Sequence, residues 1–194
     1  MVSKLLLAVL DTARQAEQTG CSPDVLTGLY AAYYDVREGI GFNKAPDIYG
    51  AFPTDPYSHT PGFAGARQPG MTGQVKEDIL SRFYELGLRI EKGIVSFDPS
   101  LMRSSELLVN ETSFQYLNVS GEWVDLALEF DQFAFTLCQV PVVYRRGDAC
   151  GLKVVTGDGE TARSELTLTA VESRHLFSRD SIVERIEITF PFSK

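Results

Sequence analysis

The hydrophobic positions near the start of the chain recur with a helical period. Between residues 3 and 19 the apolar side chains fall on one face, and Gly20 is a typical helix end. Ser22-Pro23 is a typical helix start, from which a second apolar stripe continues to about Arg37. The pattern predicts two helices joined by a short turn and packed as an antiparallel hairpin.

A third helical pattern runs from Gly73 to Leu86 after a long interruption. Thr72 is placed to cap it, and Gly87 follows as a C-terminal stop. Glu77 and Asp78 in the first turns suit the helix dipole. We expect the buried face to consist of the regularly spaced apolar residues Val75, Ile79, Leu80, Phe83 and Leu86.

After residue 87 the period changes from that of a helix to that of a strand. Short strand-like runs follow one another to the end of the sequence, with alternation clear at residues 165–169 and 186–190. Turn signals such as Ser120-Gly121 separate the runs. The order predicts an α+β protein, with a helical part at residues 1–102 and an antiparallel β-sandwich at residues 103–194.

Two positions in the strand region carry specific expectations. Pro141 lacks a backbone donor, so its run should be an edge strand or contain a bulge. Trp123 alternates with polar neighbours, and we expect it to point into the core of the sheet.

Residues 42–73 interrupt the helical part with a loop of unusual composition. Proline and glycine exclude a helix or a central strand there. Aromatic residues are spread through the loop, whereas a disordered linker is poor in them. Long ordered loops in compact domains are commonly functional, so the loop is the expected site.

Three residues in and after the loop are candidates for catalysis. Asp55 lies four residues before His59, and a carboxylate and an imidazole held by prolines can act as acid and base. The alternative is that Asp55 forms turn hydrogen bonds and His59 is half-buried. Glu77 lies in the first turns of the third helix, towards which the loop leads. Asp47, Asp55 and His59 could supply metal ligands, but their spacing matches no metal site, and we expect no metal and no cofactor.

The loop and the helix ends beside it have the composition of a sugar site. Carbohydrates need apolar faces for stacking and many hydrogen-bonding partners. The alternative for each aromatic side chain is that it anchors the loop. The candidate ligand-binding residues on these grounds are Arg37, Asn43, Tyr49, Tyr57, Gln68, Gln74 and Lys76.

Composition narrows the choice of partner and compartment. The formal net charge of −8 argues against nucleic acid and favours a neutral polar ligand or a cation. The three widely spaced cysteines predict buried thiols in a reducing compartment, without disulfides. The first apolar run is too short for a signal peptide, and no run approaches the length of a membrane span. These features predict a cytoplasmic protein without a membrane partner.

The order of these segments is similar to a known architecture. A glycine-rich aromatic loop precedes the helix GQVKEDILSRFYELGL, and Leu86-Gly87, a hairpin and Pro99-Ser100-Leu101 follow. This resembles the end of the (α/α)6 barrel and the C-terminal β-sandwich of six-hairpin glycosidases and the related inverting disaccharide phosphorylases. The resemblance is close in sequence only from about Pro69 to Met102.

The resemblance implies a carbohydrate-active protein whose site lies at the barrel mouth. It places Gln68, Thr72 and Gln74 where family members line the sugar or phosphate subsite. Such a barrel needs many more helices than the three predicted here. The missing helices would come from further chain or from another copy of the chain. Family members carry their general acid on earlier parts of the barrel, so the resemblance assigns no catalytic acid.

Two functions remain open at this point. In the first, the chain is the C-terminal portion of a glycoside hydrolase-like protein that contributes part of a sugar site and is inactive alone. In the second, it is a non-catalytic module that binds glycan or protein, or that serves in assembly.

Overall fold

A computed structural model describes residues 2–38 and 75–192 of the protein. The predicted loop at residues 42–73 lies outside these ranges. The chain divides into two compact units, Met1–Tyr84 and Glu85–Lys194. The sequence pattern placed the division at residue 102, whereas residues 88–97 contribute side chains to the core of the second unit.

Three helices are described in the first unit or at its end: α1 (Val2–Gln18), α2 (Pro23–Glu38) and α3 (Val75–Glu85). The helical period located α1 and α2 correctly, and the two helices pack against each other. Their buried apolar residues include Leu6, Leu10 and Tyr33. Within the described ranges, no helix is long and apolar enough to cross a membrane.

The expectation for the buried face of α3 is wrong at three positions. Ile79, Leu80 and Phe83 are 51%, 45% and 38% exposed. The face that is buried instead carries the polar residues Glu77 and Ser81. Periodicity shows that a helix has two different faces, but it cannot show which one the surrounding chain covers.

The second unit begins with a hairpin that the chain enters through Gly87. Strands β1 (Leu88–Glu91) and β2 (Ile94–Phe97) pair antiparallel around Lys92 and Gly93. The backbone of Gly87 is left-handed, with φ +68°, and its carbonyl accepts a 2.8 Å hydrogen bond from the Asp98 amide. Two short 3-10 turns, Pro99–Leu101 and Ser104–Glu106, lead from the hairpin into the remaining strands.

A second hairpin consists of β3 (Thr112–Leu117) and β4 (Trp123–Leu128), paired antiparallel. The turn between them contains the predicted Ser120-Gly121. Trp123 is 69% exposed, so its expected place in the core is wrong. Strand alternation separates the two faces of the hairpin, and the half-buried face is the opposite one, which carries Phe114, Tyr116, Val124 and Leu126.

The main sheet of the second unit has five strands in the order β5-β6-β9-β7-β8. These strands are β5 (Gln132–Leu137), β6 (Val140–Arg146), β7 (Gly151–Thr156), β8 (Gly159–Arg163) and β9 (Val183–Phe190). β6 and β9 pair parallel, so the sheet is mixed and the expectation of wholly antiparallel pairing is wrong. Helices followed by strands confirm the predicted α+β class.

Pro141 lies in β6, which is an interior strand of the sheet. It is opposite Thr136 of β5, whereas the pairing of β6 with β9 begins only at Val142. The missing backbone donor therefore falls where β6 has no second partner. The expectation of an edge strand is therefore wrong. Pro141 nevertheless lies at a position where its missing N–H group removes no hydrogen bond between β6 and β9.

One face of the main sheet carries the core of the second unit. Val142, Tyr144, Ile186 and Ile188 have no exposed surface, and all belong to the core cluster. The Tyr144 hydroxyl donates a hydrogen bond to the backbone carbonyl oxygen of Leu86. Because Leu86 immediately precedes Gly87, this bond joins the entry of the unit to its central sheet.

A fourth helix, α4 (Ala170–Ser178), follows a segment in which the sequence predicted a strand. Residues 165–169 form only an isolated bridge, between Thr167 and Ser96. Thr169 and Glu172 form a capping box that starts the helix. Burial alone would raise the pKa of Glu172, but hydrogen bonds from Arg163 and Thr169 outweigh it and hold this pKa below its ordinary value. Thr169 alternates as in a strand, but its side chain acts as a helix cap.

Candidate functional site

Most of the predicted site residues lie outside the residues that the structure describes. These are the catalytic candidates Asp55 and His59 and the binding candidates Asn43, Tyr49, Tyr57, Gln68, Thr72 and Gln74. The proposed acid–base pair therefore stays a prediction. Arg37, Lys76 and Glu77 can be placed.

The three described candidates differ in their surroundings. Arg37 lies half-buried in the last turn of α2, where a cation also suits the helix dipole. Lys76 is exposed on α3, whereas the next residue, Glu77, is only 3% exposed. Neighbouring positions on a helix point in different directions, so Lys76 and Glu77 do not share a face.

Glu77 is a buried carboxyl group with an unused oxygen. Among the described residues, its Oε2 atom is shielded from solvent and has no hydrogen-bond partner. The Oγ atom of Ser81 is in the same condition, and Ser81 is 5% exposed. Residues four apart lie on the same helical face, so α3 presents three buried polar residues in one row, Glu77, Ser81 and Glu85.

Such an arrangement is costly if it serves only the fold. A buried polar group without a partner costs about 1–3 kcal/mol, and a charged group costs more. Buried polar groups in folded proteins are therefore almost always paired, and each exception needs an explanation. Together, a carboxyl group and a hydroxyl group can exchange a proton with a ligand and hydrogen-bond to it.

α3 is held to α1 within the first unit. The Tyr84 hydroxyl lies 3.3 Å from Oδ1 of Asp11, close enough for a hydrogen bond. The sequence placed Glu77 among the candidates but gave no reason to single out Ser81. The available signal was the four-residue spacing between the two, which becomes informative only once their face is known to be buried.

A second surface with binding chemistry lies on the exposed face of the β3–β4 hairpin. Trp123 lies opposite Leu117, and Gln115 lies opposite Asp125 on the same face. Ser113 donates to the Asp125 carboxylate at 3.2 Å, and Gln115 donates to the same oxygen at 3.5 Å. An exposed indole ring thus adjoins a fixed group of neutral and acidic side chains. The sequence pattern did not indicate this surface, because strand alternation predicted that Trp123 points into the core.

No metal centre is evident over residues 2–38 and 75–192, where no group of three or more histidine, cysteine, aspartate or glutamate side chains could hold an ion. His175 lies in α4, and its Nδ1 atom is 2.7 Å from Oδ2 of Asp180. The hydrogen bond from His175 lowers the pKa of Asp180 below its ordinary value. This pair lies at the surface beside the end of α4.

The three cysteines carry free thiols. Cys21 and Cys138 are half-buried, whereas Cys150 is exposed. None of the three is fully buried, so the expectation of buried thiols is wrong.

Comparison with known proteins assigns no family to the chain. No protein-family model matches the chain, and no curated protein matches it.

Proposed function

We propose that the chain is the C-terminal portion of a carbohydrate-active, glycoside hydrolase-like protein in which Glu77 is a catalytic carboxyl group. The observation that carries the proposal is the buried Oε2 atom of Glu77, which like the Ser81 hydroxyl on the same face of α3 has no hydrogen-bond partner among the described residues. The place of α3 in sequence, directly after the proline- and aromatic-rich segment at residues 42–73, supports it.

The chemistry of glycoside cleavage explains why a carboxyl group would be kept in this condition. Most glycosidases place two carboxyl groups on either side of the scissile bond. One protonates the leaving oxygen, and the other acts as a base towards water or as a nucleophile. In our proposal Glu77 supplies one of the two, and Asp55 is the candidate for the other. The Ser81 hydroxyl hydrogen-bonds to the substrate or to Glu77 when the substrate is bound.

Glu77→Gln is expected to lower kcat about 100-fold, because positioned proton transfer contributes about 10²–10⁴-fold to rate. The free energy of unfolding should change little, since the Oε2 atom of Glu77 has no hydrogen-bond partner to lose among the described residues. The measurement is hydrolysis and phosphate-dependent cleavage of a disaccharide panel, with thermal unfolding in parallel. It is made on the protein expressed from the whole reading frame that contains this chain.

Asp78→Asn is the matched control, because it removes a carboxylate from the next, exposed position of the same helix. It should leave kcat within about twofold, as an exposed charge outside the site contributes little. Full activity of Glu77→Gln would contradict the assignment of Glu77. Loss of folding in Glu77→Gln would show that the carboxyl group serves the structure.

A non-catalytic glycan-binding module is the second candidate function, and the exposed face of the β3–β4 hairpin favours it. The Trp123 ring offers a stacking surface for the apolar face of a sugar. The carboxylate of Asp125, held by Ser113 and Gln115, offers acceptors for neighbouring hydroxyl groups. This function needs no second carboxyl group and no contribution from α3.

Trp123→Ala is expected to weaken retention on insoluble polysaccharides about tenfold, because loss of an aromatic contact costs about 1 kcal/mol or somewhat more. The measurement is depletion of the protein from solution by cellulose, starch and chitin. Phe130→Ala is the control, since Phe130 is an exposed aromatic residue of the same unit, 60% exposed. Equal losses of retention in both variants, or no loss in Trp123→Ala, would rule out Trp123 as a specific stacking surface for a sugar.

A further inference from the structure

A pocket in the second unit is formed by three turns that are distant in sequence. Its volume is about 280 Å³. The β3–β4 turn, the β5–β6 turn and the segment before β9 each contribute to it, and its polar lining includes Tyr116, Asn118, Gln139, Ser181 and Glu184. Trp123 is not among its lining residues. The volume lies at the lower end for small-molecule sites, which suits a ligand of one ring.

Gln139 lies in the pocket wall, in the tight turn between β5 and β6. Cys138 and Gln139 form the two-residue turn between β5 and β6, and both are left-handed, with φ +52° and +67°. Two positive φ values are what a two-residue type I′ hairpin turn requires. The Gln139 amide nitrogen donates to the Asn118 carbonyl oxygen at 2.9 Å. Its Oε1 atom is shielded from solvent and, among the described residues, has no partner.

Three other polar groups of the lining make no side-chain hydrogen bond within the described part of the chain: the hydroxyl groups of Tyr116 and Ser181 and the carboxylate of Glu184. Burial raises the pKa of Tyr116, Arg185 opposes this and Glu184 adds to it, so the phenol stays protonated at neutral pH. The Tyr116 hydroxyl can therefore donate as well as accept a hydrogen bond.

The hydrogen-bond donors and acceptors of the lining indicate which kind of ligand the pocket would bind. The Glu184 carboxylate only accepts hydrogen bonds, whereas the two hydroxyl groups can do both. A ligand must then offer several donors, and the acceptors disfavour an anion. Val140, Pro141 and Val183 add apolar wall, which suits the C–H surface of a ring. We propose that this pocket binds a neutral polyhydroxylated ring, the size of one sugar unit.

The proposal rests on the pocket itself and not on Glu77 or Trp123. A ligand of this size in an open pocket should bind with a dissociation constant on the order of 1 mM. Titration calorimetry and ligand-observed NMR with D-glucose, D-galactose and D-mannose test it directly. We expect saturable binding of at least one of these sugars.

Tyr116→Phe and Glu184→Gln are each expected to weaken that binding at least fivefold. Both changes preserve shape and break no hydrogen bond of the fold, so thermal unfolding should hardly change. Asp148→Asn is the matched control for Glu184, because it removes an exposed carboxylate of the same unit away from the pocket lining. It should bind the sugar as the wild type does.

Further variants separate this proposal from the proposed functions. Saturable sugar binding that persists in Glu77→Gln and in Trp123→Ala but is weakened in Tyr116→Phe would place the bound sugar in the pocket, whatever the first two variants do to cleavage or to retention on polysaccharide. Absence of saturable binding of all three sugars would overturn the proposal. So would equal binding by wild type, Tyr116→Phe and Glu184→Gln, or binding of ethanolamine as an amine probe without binding of any sugar.

Discussion

Gly87→Ala is expected to destabilise the second unit by about 4 kcal/mol or more, or to prevent its folding. A Cβ atom at this position would lie 2.0 Å from the Asp98 carbonyl oxygen, 2.1 Å from the Asp98 carbonyl carbon and 2.5 Å from the Pro99 nitrogen. All three atoms are backbone, so no side-chain rotation relieves the clash. Effects of this size arise where a substitution meets a rigid and strained site. The measurement is urea unfolding followed by circular dichroism.

Gly93→Ala is the matched control for this prediction. Gly93 also has a positive φ, +79°, but a Cβ atom there would meet nothing within 4 Å. Its cost should be limited to the left-handed backbone penalty, about 1–2 kcal/mol. Similar losses in the two variants would show that conformation alone accounts for the Gly87 effect. The close approach to Asp98 and Pro99 would then be irrelevant.

Tyr144→Ala is expected to cost about 4–5 kcal/mol, because it removes a large side chain with no exposed surface from the centre of the core. The Tyr144 ring centroid lies 5.6 Å from that of Phe135, and 6.4 Å from those of Phe97 and Phe192. The loss also leaves the buried Leu86 carbonyl oxygen without its donor. Chemical unfolding of the purified variant measures the change.

Tyr144→Phe divides this cost into packing and hydrogen bonding. It keeps the ring and removes only the hydroxyl, so it should cost about 1–3 kcal/mol. A near-zero effect would mean that water or a rearranged chain satisfies the Leu86 carbonyl oxygen. A loss as large as that of Tyr144→Ala would mean that the ring packing contributes little.

Local sequence patterns predicted the elements of this fold better than they predicted the relations between elements. The start of α2, the Ser120-Gly121 turn and the final strand follow from capping, glycine and alternation, whereas the predicted start of α3 at Gly73 lies outside the described residues. The parallel pairing of β6 with β9 does not, because nothing local records which distant strand lies alongside. α4 was missed because its capping box begins inside an alternating segment.

The candidate sites also depend on relations between elements that local sequence patterns do not record. Glu77 was recognisable as an acidic residue after the loop at residues 42–73, but what distinguishes it is a buried Oε2 atom without a hydrogen-bond partner among the described residues. That property depends on which face of α3 is covered. The pocket beside Tyr116 could not be predicted at all. Asn118, Gln139 and Ser181 lie in separate turns, and only the packing of one hairpin against the sheet brings them together.

The central place of β9 in the sheet bears on how the second unit forms during translation. β9 lies between β6 and β7, so neither the β5–β6 hairpin nor the β7–β8 hairpin can join the sheet before β9 emerges from the ribosome. Synthesis of the 44 residues from the end of β6 to the end of β9 takes roughly 2–9 s at ordinary elongation rates. During that interval β6 presents an unpaired edge, which is the kind of surface that nascent-chain chaperones protect.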